Sequence, residues 1–421
     1  MTATGRVHIV GAGLAGLASA TALAEAGVSV TVWEGAAQAG GRCRSYYDPV
    51  LEQVIDNGNH FVLAGNHAVM RYVRTIGSQD ALVGPDRPVT AFVDITSGRR
   101  WAITPNLGAV PTWLFDKARR VPDTAPADYL ELVKILVAKP DQTLGEVLAC
   151  KGPLWERLLH PFFLGALNTQ PEGASAHLAA ALVRETFAKG GRAYRTRIAH
   201  PTLAAAFVDP ALAFVGERGG DIRLGRRVRA LGFADDRVTA LETAEGAVML
   251  GPDDRLIVAT PPWSATELIP ELTAPDDFRA IVNAHFKLPA PAGAPGMLGV
   301  LGGVAEWVFS FPDRISVTIS GADRLVDRSR DDLAQRIWAD VQRALDLDAP
   351  LPTWQVVKER RATFAATVEQ DARRPPAGTR WRNLTLAGDW TQTGLPATIE
   401  GALRSGFKAA ALASAGLRGR S

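Results

Sequence analysis

Three glycines and one acid near the N-terminus have types and spacing suited to binding a dinucleotide phosphate. Gly11, Gly13 and Gly16 form a G-x-G-x-x-G pattern. Glu34 follows 18 residues after the last of these glycines. In such a pattern the first glycine permits a tight turn, the second admits a pyrophosphate to the backbone, and the third lets a helix pack close to a sheet. The acid is then placed to accept hydrogen bonds from a ribose.

The neighbouring residues predict the secondary structure that such a site needs. Apolar runs at residues 6–10 and 28–33 predict two short buried strands, and residues 17–26 predict the helix between them. The helix N-terminus would point free N–H groups and its positive dipole end at the phosphates, which makes the backbone of Leu14 and Ala15 part of the predicted site. A lone glycine pattern also fits an ordinary turn, but strands, helix and acid in register favour a dinucleotide site.

Two further polar segments follow the acid. Gly40 and Gly41 permit close approach to the backbone, and the guanidinium of Arg42 can pair with a phosphate, although a solvated turn is the alternative. Asn57 and Gly58 lie in a polar turn before an apolar strand, and we assign them to the same cofactor site.

The last motif combines a strand, a polar loop and a helix near the C-terminus. Residues 384–387 predict a buried strand, and Gly388 and Asp389 follow it directly, which suits a carboxylate that binds a polyol. Thr398 and Ile399 open the final helix, whose N-terminus can direct N–H groups at an electron-rich ring edge. A plain strand–loop–helix with a capped helix is the alternative interpretation.

The N-terminal pattern, the segment at Arg42 and residues 384–410 together resemble the flavin amine oxidase and phytoene desaturase superfamily. The resemblance implies FAD rather than NAD as the cofactor. It also implies that the backbone of Val228 contacts the adenine and that Asp389 reaches the ribityl chain. Because no cysteine lies near residues 384–410, we expect the flavin to be bound non-covalently.

The superfamily resemblance also implies an α/β fold with amine-oxidase-like two-domain architecture. We expect a discontinuous Rossmann-type FAD-binding domain at residues 1–88, 200–262 and 372–421. A mixed α+β substrate domain would occupy residues 89–199 and 263–371. Within the latter, residues 330–345 predict an amphipathic helix, and residues 304–310 and 315–320 predict a hairpin.

Two stretches, residues 162–175 and 282–323, are similar to hydroxysqualene dehydroxylases, a branch of this superfamily. The similarity implies a long isoprenoid lipid substrate and reductive removal of its hydroxyl group. The alternatives are a carotenoid-type desaturase, an amine or protoporphyrinogen oxidase, and a prenyl-lipid escort protein of the GDP-dissociation-inhibitor type without redox chemistry. The intact glycine pattern and Glu34 argue against the escort protein.

A reductive dehydroxylation needs an acid near the hydroxyl and a dry, electron-rich pocket. Glu172 is the first candidate for the acid, although an acid after Pro171 also fits the start of a helix. His60 and Asp56 are the further candidates, although the sequence favours a structural histidine at position 60 over a residue that lines the flavin pocket. Asn168 could orient the hydroxyl. Aromatic residues that could wall the pocket, or simply fill the core, are Phe162, Phe163, Trp263, Trp307 and Trp390.

Composition restricts the remaining possibilities. The chain has 421 residues, a net charge of +2 and only two cysteines. These values predict a cytoplasmic protein without a disulfide scaffold and give no reason to expect a nucleic-acid partner or a metal. The pattern of residues 107–186 predicts a mainly helical cap that carries scattered lysines and arginines. The outer face of this cap is either exposed to solvent or a surface for peripheral membrane contact. No second glycine fingerprint is present, so an electron donor would have to come from outside.

Overall fold

The computed structural model describes residues 5–418, which form twenty β-strands and twelve α-helices. The strands are β1 (Val7–Val10), β2 (Val30–Trp33), β3 (Ser45–Asp48), β4 (Gln53–Asp56), β5 (Phe61–Leu63), β6 (Leu82–Val83), β7 (Thr90–Asp94), β8 (Arg99–Ile103), β9 (Thr196–Ala199), β10 (Asp221–Arg223), β11 (Ala230–Ala234), β12 (Arg237–Thr243), β13 (Gly246–Met249), β14 (Arg255–Val258), β15 (Phe278–Phe286), β16 (Met297–Leu301), β17 (Trp307–Ser310), β18 (Ile315–Ile319), β19 (Trp354–Phe364) and β20 (Leu384–Leu386). The helices are α1 (Leu14–Glu25), α2 (His67–Thr75), α3 (Glu131–Leu136), α4 (Leu144–Val147), α5 (His160–Leu167), α6 (Ala176–Glu185), α7 (Gly191–Tyr194), α8 (Asp209–Glu217), α9 (Pro262–Leu268), α10 (Arg330–Leu345), α11 (Val368–Ala372) and α12 (Ile399–Arg418).

A five-stranded parallel sheet carries the glycine pattern. Its order is β10-β2-β1-β14-β20, so the turn at Gly11 leaves the central strand. Strands β1, β2 and β14 are buried along their whole length, because helices cover the sheet, as is usual for parallel strands. The helices α1 and α12 pack against each other and against this sheet. The glycine turn, the loop after β20 and the start of α12 therefore meet at one end of the sheet.

A seven-stranded sheet forms the second large unit, in the order β19-β15-β18-β17-β16-β7-β8. Its strands pair antiparallel except for the parallel pair β16 and β7. One face packs on the apolar side of α10 through Val282, Val308 and Val317. The opposite face carries Asn283, Trp307 and Thr318, and it contacts the segment before β5.

The strands of the two sheets come from separate parts of the chain. All five parallel strands lie in the segments assigned to the FAD-binding domain, and all seven strands of the other sheet lie in those assigned to the substrate domain. This distribution agrees with the predicted organisation, while the residue boundaries themselves stay a prediction.

Local patterns predicted several elements well and others poorly. The amphipathic helix at residues 330–345 and the hairpin of β17 and β18 are confirmed. The first helix begins at Leu14, three residues earlier than predicted, because the glycine turn passes directly into helical backbone. Within residues 112–173 one helical stretch, residues 153–167, is continuous, and the other helical pieces are short, several of them single turns.

Between residues 5 and 418, no helix has the length and apolar character needed to cross a bilayer.

Candidate active site

The glycine turn after β1 leaves an open space in front of helix α1. Gly11 has a φ of +108°, and a Cβ atom there would lie 2.7 Å from the carbonyl oxygen of Ala259. A Cβ on Gly13, in contrast, would have no heavy atom within 4 Å. The N-terminus of α1 has no side-chain cap, so the N–H groups of Leu14 and Ala15 open towards that space. This cradle fits an anionic pyrophosphate at the predicted position.

The second glycine pair closes one side of the same cradle. Gly40 and Gly41 have φ values of +104° and +55°, a region that favours glycine. Gly40 donates its N–H to the carbonyl of Ala12 at 2.8 Å and bridges to Gly13. The structure therefore brings together the two glycine motifs that the sequence places 27 residues apart, counting from Gly13 to Gly40.

Glu34 ends β2 with its carboxylate turned to the glycine turn. The two carboxylate oxygens accept the N–H groups of Ala12 and Ala36, each at 2.8 Å. These bonds fix the side chain and leave lone pairs for a ribose hydroxyl. Val228 is buried. Its segment lies beside Glu34, since Arg226 donates its N–H to the Glu34 carbonyl at 2.7 Å. Both residues stay predicted contacts of the adenosine half.

Arg42 and Asp389 form an ion pair that the sequence analysis did not anticipate. The Nη2 atom of Arg42 lies 2.7 Å from Oδ1 of Asp389, and Nη1 donates to the Ala362 carbonyl at 2.6 Å. The Asp389 side chain is only 6% exposed. Arg42 thus neutralises a nearly buried carboxylate at the loop predicted to hold the ribityl chain, rather than standing free for a phosphate.

The loop after β20 and the start of α12 are fixed by local hydrogen bonds. Gly388 has a φ of +150° and donates its N–H to the Ser405 hydroxyl at 2.8 Å. The Thr398 hydroxyl accepts the Gly401 N–H at 3.0 Å and caps α12, which places Ile399 in its first turn. These contacts hold the loop and the helix N-terminus beside each other, as a shared cofactor contact requires.

The polar turn before β5 packs on the seven-stranded sheet. Asn57 donates to the carboxylate of Glu359 on β19 at 3.3 Å. Gly58 lies so close to Asn283 on β15 that a Cβ would come within 3.0 Å of its amide nitrogen. The backbone N–H of Asn57 is donated to the Arg44 carbonyl at 3.0 Å, so the turn links the segment after Gly41 to the seven-stranded sheet.

His60 directly follows this turn and is electrically neutral at neutral pH. Burial, and to a smaller extent the nearby charge of Arg42, lowers its pKa to about 4. His60 therefore lies near the predicted flavin site, but not as a cationic acid. A neutral imidazole still offers one N–H donor and one acceptor nitrogen.

Three other candidates for catalysis stand in different surroundings from those predicted. Glu172 is exposed in the short turn Pro171–Gly173 rather than enclosed in a dry pocket, and its role as the acid stays a prediction. Asn168 is buried, but its amide nitrogen donates to Thr363 and to the Arg279 carbonyl, and its oxygen accepts the Gly321 N–H. Both amide hydrogens of Asn168 are thus donated to hydrogen bonds within the protein. These bonds favour a structural role for Asn168 over binding of the substrate hydroxyl.

Asp56 is likewise held by structural contacts. Its Oδ1 accepts the Ser45 hydroxyl at 2.6 Å and the Leu203 N–H at 2.9 Å, and Arg314 lies 3.9 Å from Oδ2. Burial raises the pKa of this carboxyl group. Its bonds tie the β3–β4 hairpin to the segment at Leu203, so a proton-donating role has no support.

The candidate aromatic walls fall into two groups. Trp263 and Trp390 line a small cavity together with Arg42 and Asp389. The ring of Trp307 lies 6.5 Å from Phe61 beside His60. Phe163 is fully buried and Phe162 packs on it at 5.2 Å, which is the geometry of plain core. A wall for a cationic substrate therefore remains a prediction for the tryptophans alone.

Glu306, which precedes β17, is a half-buried acid that the sequence analysis missed. Its carboxylate accepts the Ser320 N–H at 2.7 Å, and burial raises its pKa from 4.5 to about 7. The folded protein therefore holds a proton on Glu306 that the unfolded chain loses above pH 4.5.

We expect replacement of Glu306 by Gln to change how stability depends on pH. The Glu306 contribution favours the folded state at low pH and is lost as the pH rises from 4.5 to about 7. The free energy of unfolding of the wild type minus that of E306Q should thus fall by about 3 kcal/mol across this window. Denaturant unfolding at several pH values measures this difference. A difference that stays constant with pH would contradict the assignment.

The fold and the site together define a two-domain flavoprotein. A Rossmann-type sheet carries an open pyrophosphate cradle, and the loop with Asp389 and the N-terminus of α12 meet the same end of that sheet. The chain belongs to the family of flavin containing amine oxidoreductases, whose model matches residues 14–413. The cofactor of this fold and site is FAD.

Within this family the chain is most usefully compared with individual proteins of similar sequence or fold. The chain is 52% identical to the hydroxysqualene dehydroxylase of Rhodopseudomonas palustris, over 96% of this chain and 97% of the relative. It is 49% identical to the hydroxysqualene dehydroxylase of Sinorhizobium fredii, over 97% and 98% of the two chains. Cyclohexylamine oxidase from Brevibacterium oxydans has a similar fold at 17% identity, with a TM-score of 0.68 over 97% of this chain and 99% of that one.

Proposed function

We propose that this protein is an FAD-dependent oxidoreductase that reduces hydroxysqualene to squalene. The observation that carries the proposal is the identity of about half the residues, over nearly the full length, with hydroxysqualene dehydroxylases. The sequence analysis left two other reactions open, desaturation of a polyene and oxidation of an amine. The relatives that carry those names are much more distant from this chain. A probable zeta-carotene desaturase is 25% identical and an amine oxidase is 17% identical.

The residues of the cradle fit FAD, and the assignment of each contact is part of this proposal. Gly13 and the N-terminus of α1 would hold the pyrophosphate, Glu34 the ribose, and Asp389 the ribityl chain. Reduced FAD supplies the hydride equivalent. In the reaction the carbon–oxygen bond of the allylic alcohol breaks, the hydroxyl leaves with one proton as water, and a carbon–hydrogen bond forms. Each turnover therefore consumes two electrons, which an external donor must return.

The protein's own residues would assist departure of the hydroxyl group. His60 is neutral, lies near Arg42, and has an N–H that can donate a hydrogen bond to the leaving oxygen. The tryptophans 307 and 390 are large electron-rich side chains in buried positions, which suits a site where a delocalised cation develops. Exclusion of water protects such a cation from recapture.

The function is tested by product analysis with purified, FAD-loaded protein and a chemical reductant. Hydroxysqualene in detergent should be converted to squalene, detected by mass spectrometry, while phytoene and simple amines remain unchanged. Conversion of phytoene or an amine without any squalene would contradict the proposal.

We expect substitution of His60 to slow the reaction without changing its pH profile. His60→Leu removes the hydrogen-bond donor and should lower the turnover rate by about 100-fold at saturating FAD, the usual effect of losing one such donor. His60→Gln retains an N–H and should lose less. Because His60 stays neutral, the wild-type profile should show no ionisation from it between about pH 5 and 8. Full activity of H60L would remove His60 from the mechanism.

A membrane contact would explain how a water-insoluble substrate reaches the enzyme. Six large apolar side chains are exposed within residues 107–137, including Phe115 at 78% and Val137 at 77%. The two halves of this segment are joined by ring contact between Trp113 and Tyr129, with centroids 5.5 Å apart. We define this apolar patch as Leu107, Val110, Phe115, Leu130, Val133 and Val137. We propose that it rests on the cytoplasmic face of a bilayer, with the exposed Lys117, Lys134 and Lys139 at its margin.

The double substitution F115S/V137S should weaken binding to phosphatidylglycerol-containing vesicles by about 10-fold, because two apolar side chains leave the bilayer interface. Co-sedimentation with vesicles measures this change. M249S/L412S is the matched control, since Met249 and Leu412 are also exposed apolar residues but lie outside the patch. Equal binding of both double variants would exclude the apolar patch as the membrane contact.

A further inference from the structure

Arg374 is a buried arginine whose hydrogen bonds converge on the loop that follows β20. The residue is 3% exposed. Its Nε donates to the Thr391 carbonyl at 2.9 Å, and its Nη2 donates to the Asp389 carbonyl at 3.1 Å and to the Thr393 hydroxyl at 2.7 Å. One planar guanidinium therefore spans three residues of the same short loop.

The charge of Arg374 is balanced on the side away from the loop. Its Nη1 donates to Oδ1 of Asp371 at 2.8 Å. The other carboxylate oxygen of Asp371 lies 3.0 Å from Nδ1 of His177 on α6. The guanidinium also lies 5.0 Å from the centre of the Phe364 ring. Because a buried charge is costly unless it is paired and hydrogen-bonded, this surrounding fixes Arg374 in one orientation.

The loop is held from two directions, and both act on Asp389. Arg42 pairs with its carboxylate, while Arg374 binds its backbone carbonyl. The backbone position decides where the carboxylate can reach, because an aspartate side chain has only two rotatable bonds. Burying backbone carbonyl groups without hydrogen-bond donors would be costly. Arg374 supplies donors to the carbonyl groups of this loop.

We propose that Arg374 is a positioning residue for the flavin site. It orients the 388–393 loop so that Asp389 presents its carboxylate to FAD, and it does so without touching the cofactor itself. A merely structural arginine would stabilise the fold as a whole, whereas the bonds of Arg374 to the backbone are confined to the loop that carries Asp389. The inference rests on FAD as the cofactor and not on the lipid substrate, so it stands or falls separately from hydroxysqualene reduction.

The test compares Arg374 with its neighbour Arg373. Arg373 pairs with Asp276 at 2.6 Å near the surface and donates to the Ala274 carbonyl, away from the loop. Apoprotein is prepared from the wild type and from R374M, R374K and R373M, and the Kd for FAD is measured by quenching of flavin fluorescence. The melting temperature of each apoprotein and the visible circular dichroism of bound FAD are recorded alongside.

We expect R374M to bind FAD about 30-fold more weakly, because several charge-assisted hydrogen bonds to the loop are lost. R374K retains the charge but not the planar fork, so it should recover only part of the affinity. In R374K the circular dichroism of bound FAD should change, whereas R373M should match the wild type in both readouts. In a further variant, R374A, guanidinium ion should partly restore the affinity for FAD, compared with sodium at equal concentration.

If R374M does not fold, R374K and Thr393→Val test the same proposal. T393V removes the loop hydroxyl that accepts one hydrogen bond from the Arg374 guanidinium. Wild-type affinity and circular dichroism in R374K and T393V would overturn the proposal. A lower melting temperature of the Arg374 variants with unchanged FAD affinity would overturn the proposal as well. In that case Arg374 would stabilise the fold without positioning the flavin site.

Discussion

Gly13→Val abolishes measurable FAD binding while leaving the apoprotein folded. Gly13 has extended backbone, with φ −73° and ψ 176°, which valine adopts without strain. Its Cβ would enter space with no heavy atom within 4 Å, so the protein itself does not oppose the side chain. The same space lies in front of the uncapped N-terminus of α1, where we place the pyrophosphate. We expect the Kd for FAD to rise by at least about 100-fold, equivalent to about 3 kcal/mol.

The matched control for this prediction is Gly173→Val. A Cβ on Gly173 also meets nothing within 4 Å, but the residue lies in an exposed turn. Titration of each apoprotein with FAD, together with its melting temperature, separates a blocked site from a damaged fold. If G13V binds FAD like G173V, the pyrophosphate does not occupy the cradle and the central assignment of the site fails.

Arg42→Met destabilises the apoprotein by about 1–2 kcal/mol, a cost reduced from that of a fully buried ion pair by the 41% exposure of the Arg42 side chain. The reason is that the Asp389 carboxylate, 6% exposed, would keep its buried position without the guanidinium 2.7 Å away. Denaturant unfolding of the apoprotein measures the loss. The neighbouring substitution Arg44→Met removes an arginine whose guanidinium bonds only the Gly41 carbonyl, and it should cost much less.

A double variant distinguishes the ion pair from simple loss of packing. R42M/D389L leaves no unpaired charge, so its stability should exceed that of R42M even though two polar groups have been removed. Neither variant should bind FAD tightly. A double variant less stable than R42M would show that the carboxylate of Asp389 does not depend on Arg42 for its stability.

The sequence predicted those parts of the site that depend on local backbone geometry. The spacing of Gly11, Gly13 and Gly16 describes one turn followed by one helix; the turn is found where the pattern places it, and the helix begins three residues earlier than predicted. The amphipathic helix α10 was equally local, because its apolar residues recur with helical period. A long, mostly buried strand such as β15 carries no alternation on which to base a prediction, since both of its faces meet other elements.

Contacts between distant segments could not be predicted in this way. Arg42 and Asp389 are 347 residues apart, and each was assigned a separate partner on the cofactor before the structure paired them. Arg374 lies in a short polar segment with no pattern of its own, and its role emerges only once the fold brings the loop after β20 to it. The surroundings of Glu172 could not be predicted either, because an acid after proline is also typical of the exposed turn in which this residue lies.

The central claim is that reduced flavin in this protein removes the hydroxyl of hydroxysqualene, and an anaerobic single-turnover experiment tests it most directly. The bound FAD is reduced in the absence of oxygen, hydroxysqualene is added in detergent, and flavin absorbance and lipid products are followed together. We predict reoxidation of the flavin with formation of one squalene per FAD. A flavin that stays reduced in the presence of hydroxysqualene, while the oxidised protein is bleached by phytoene, would contradict the account and establish desaturation instead.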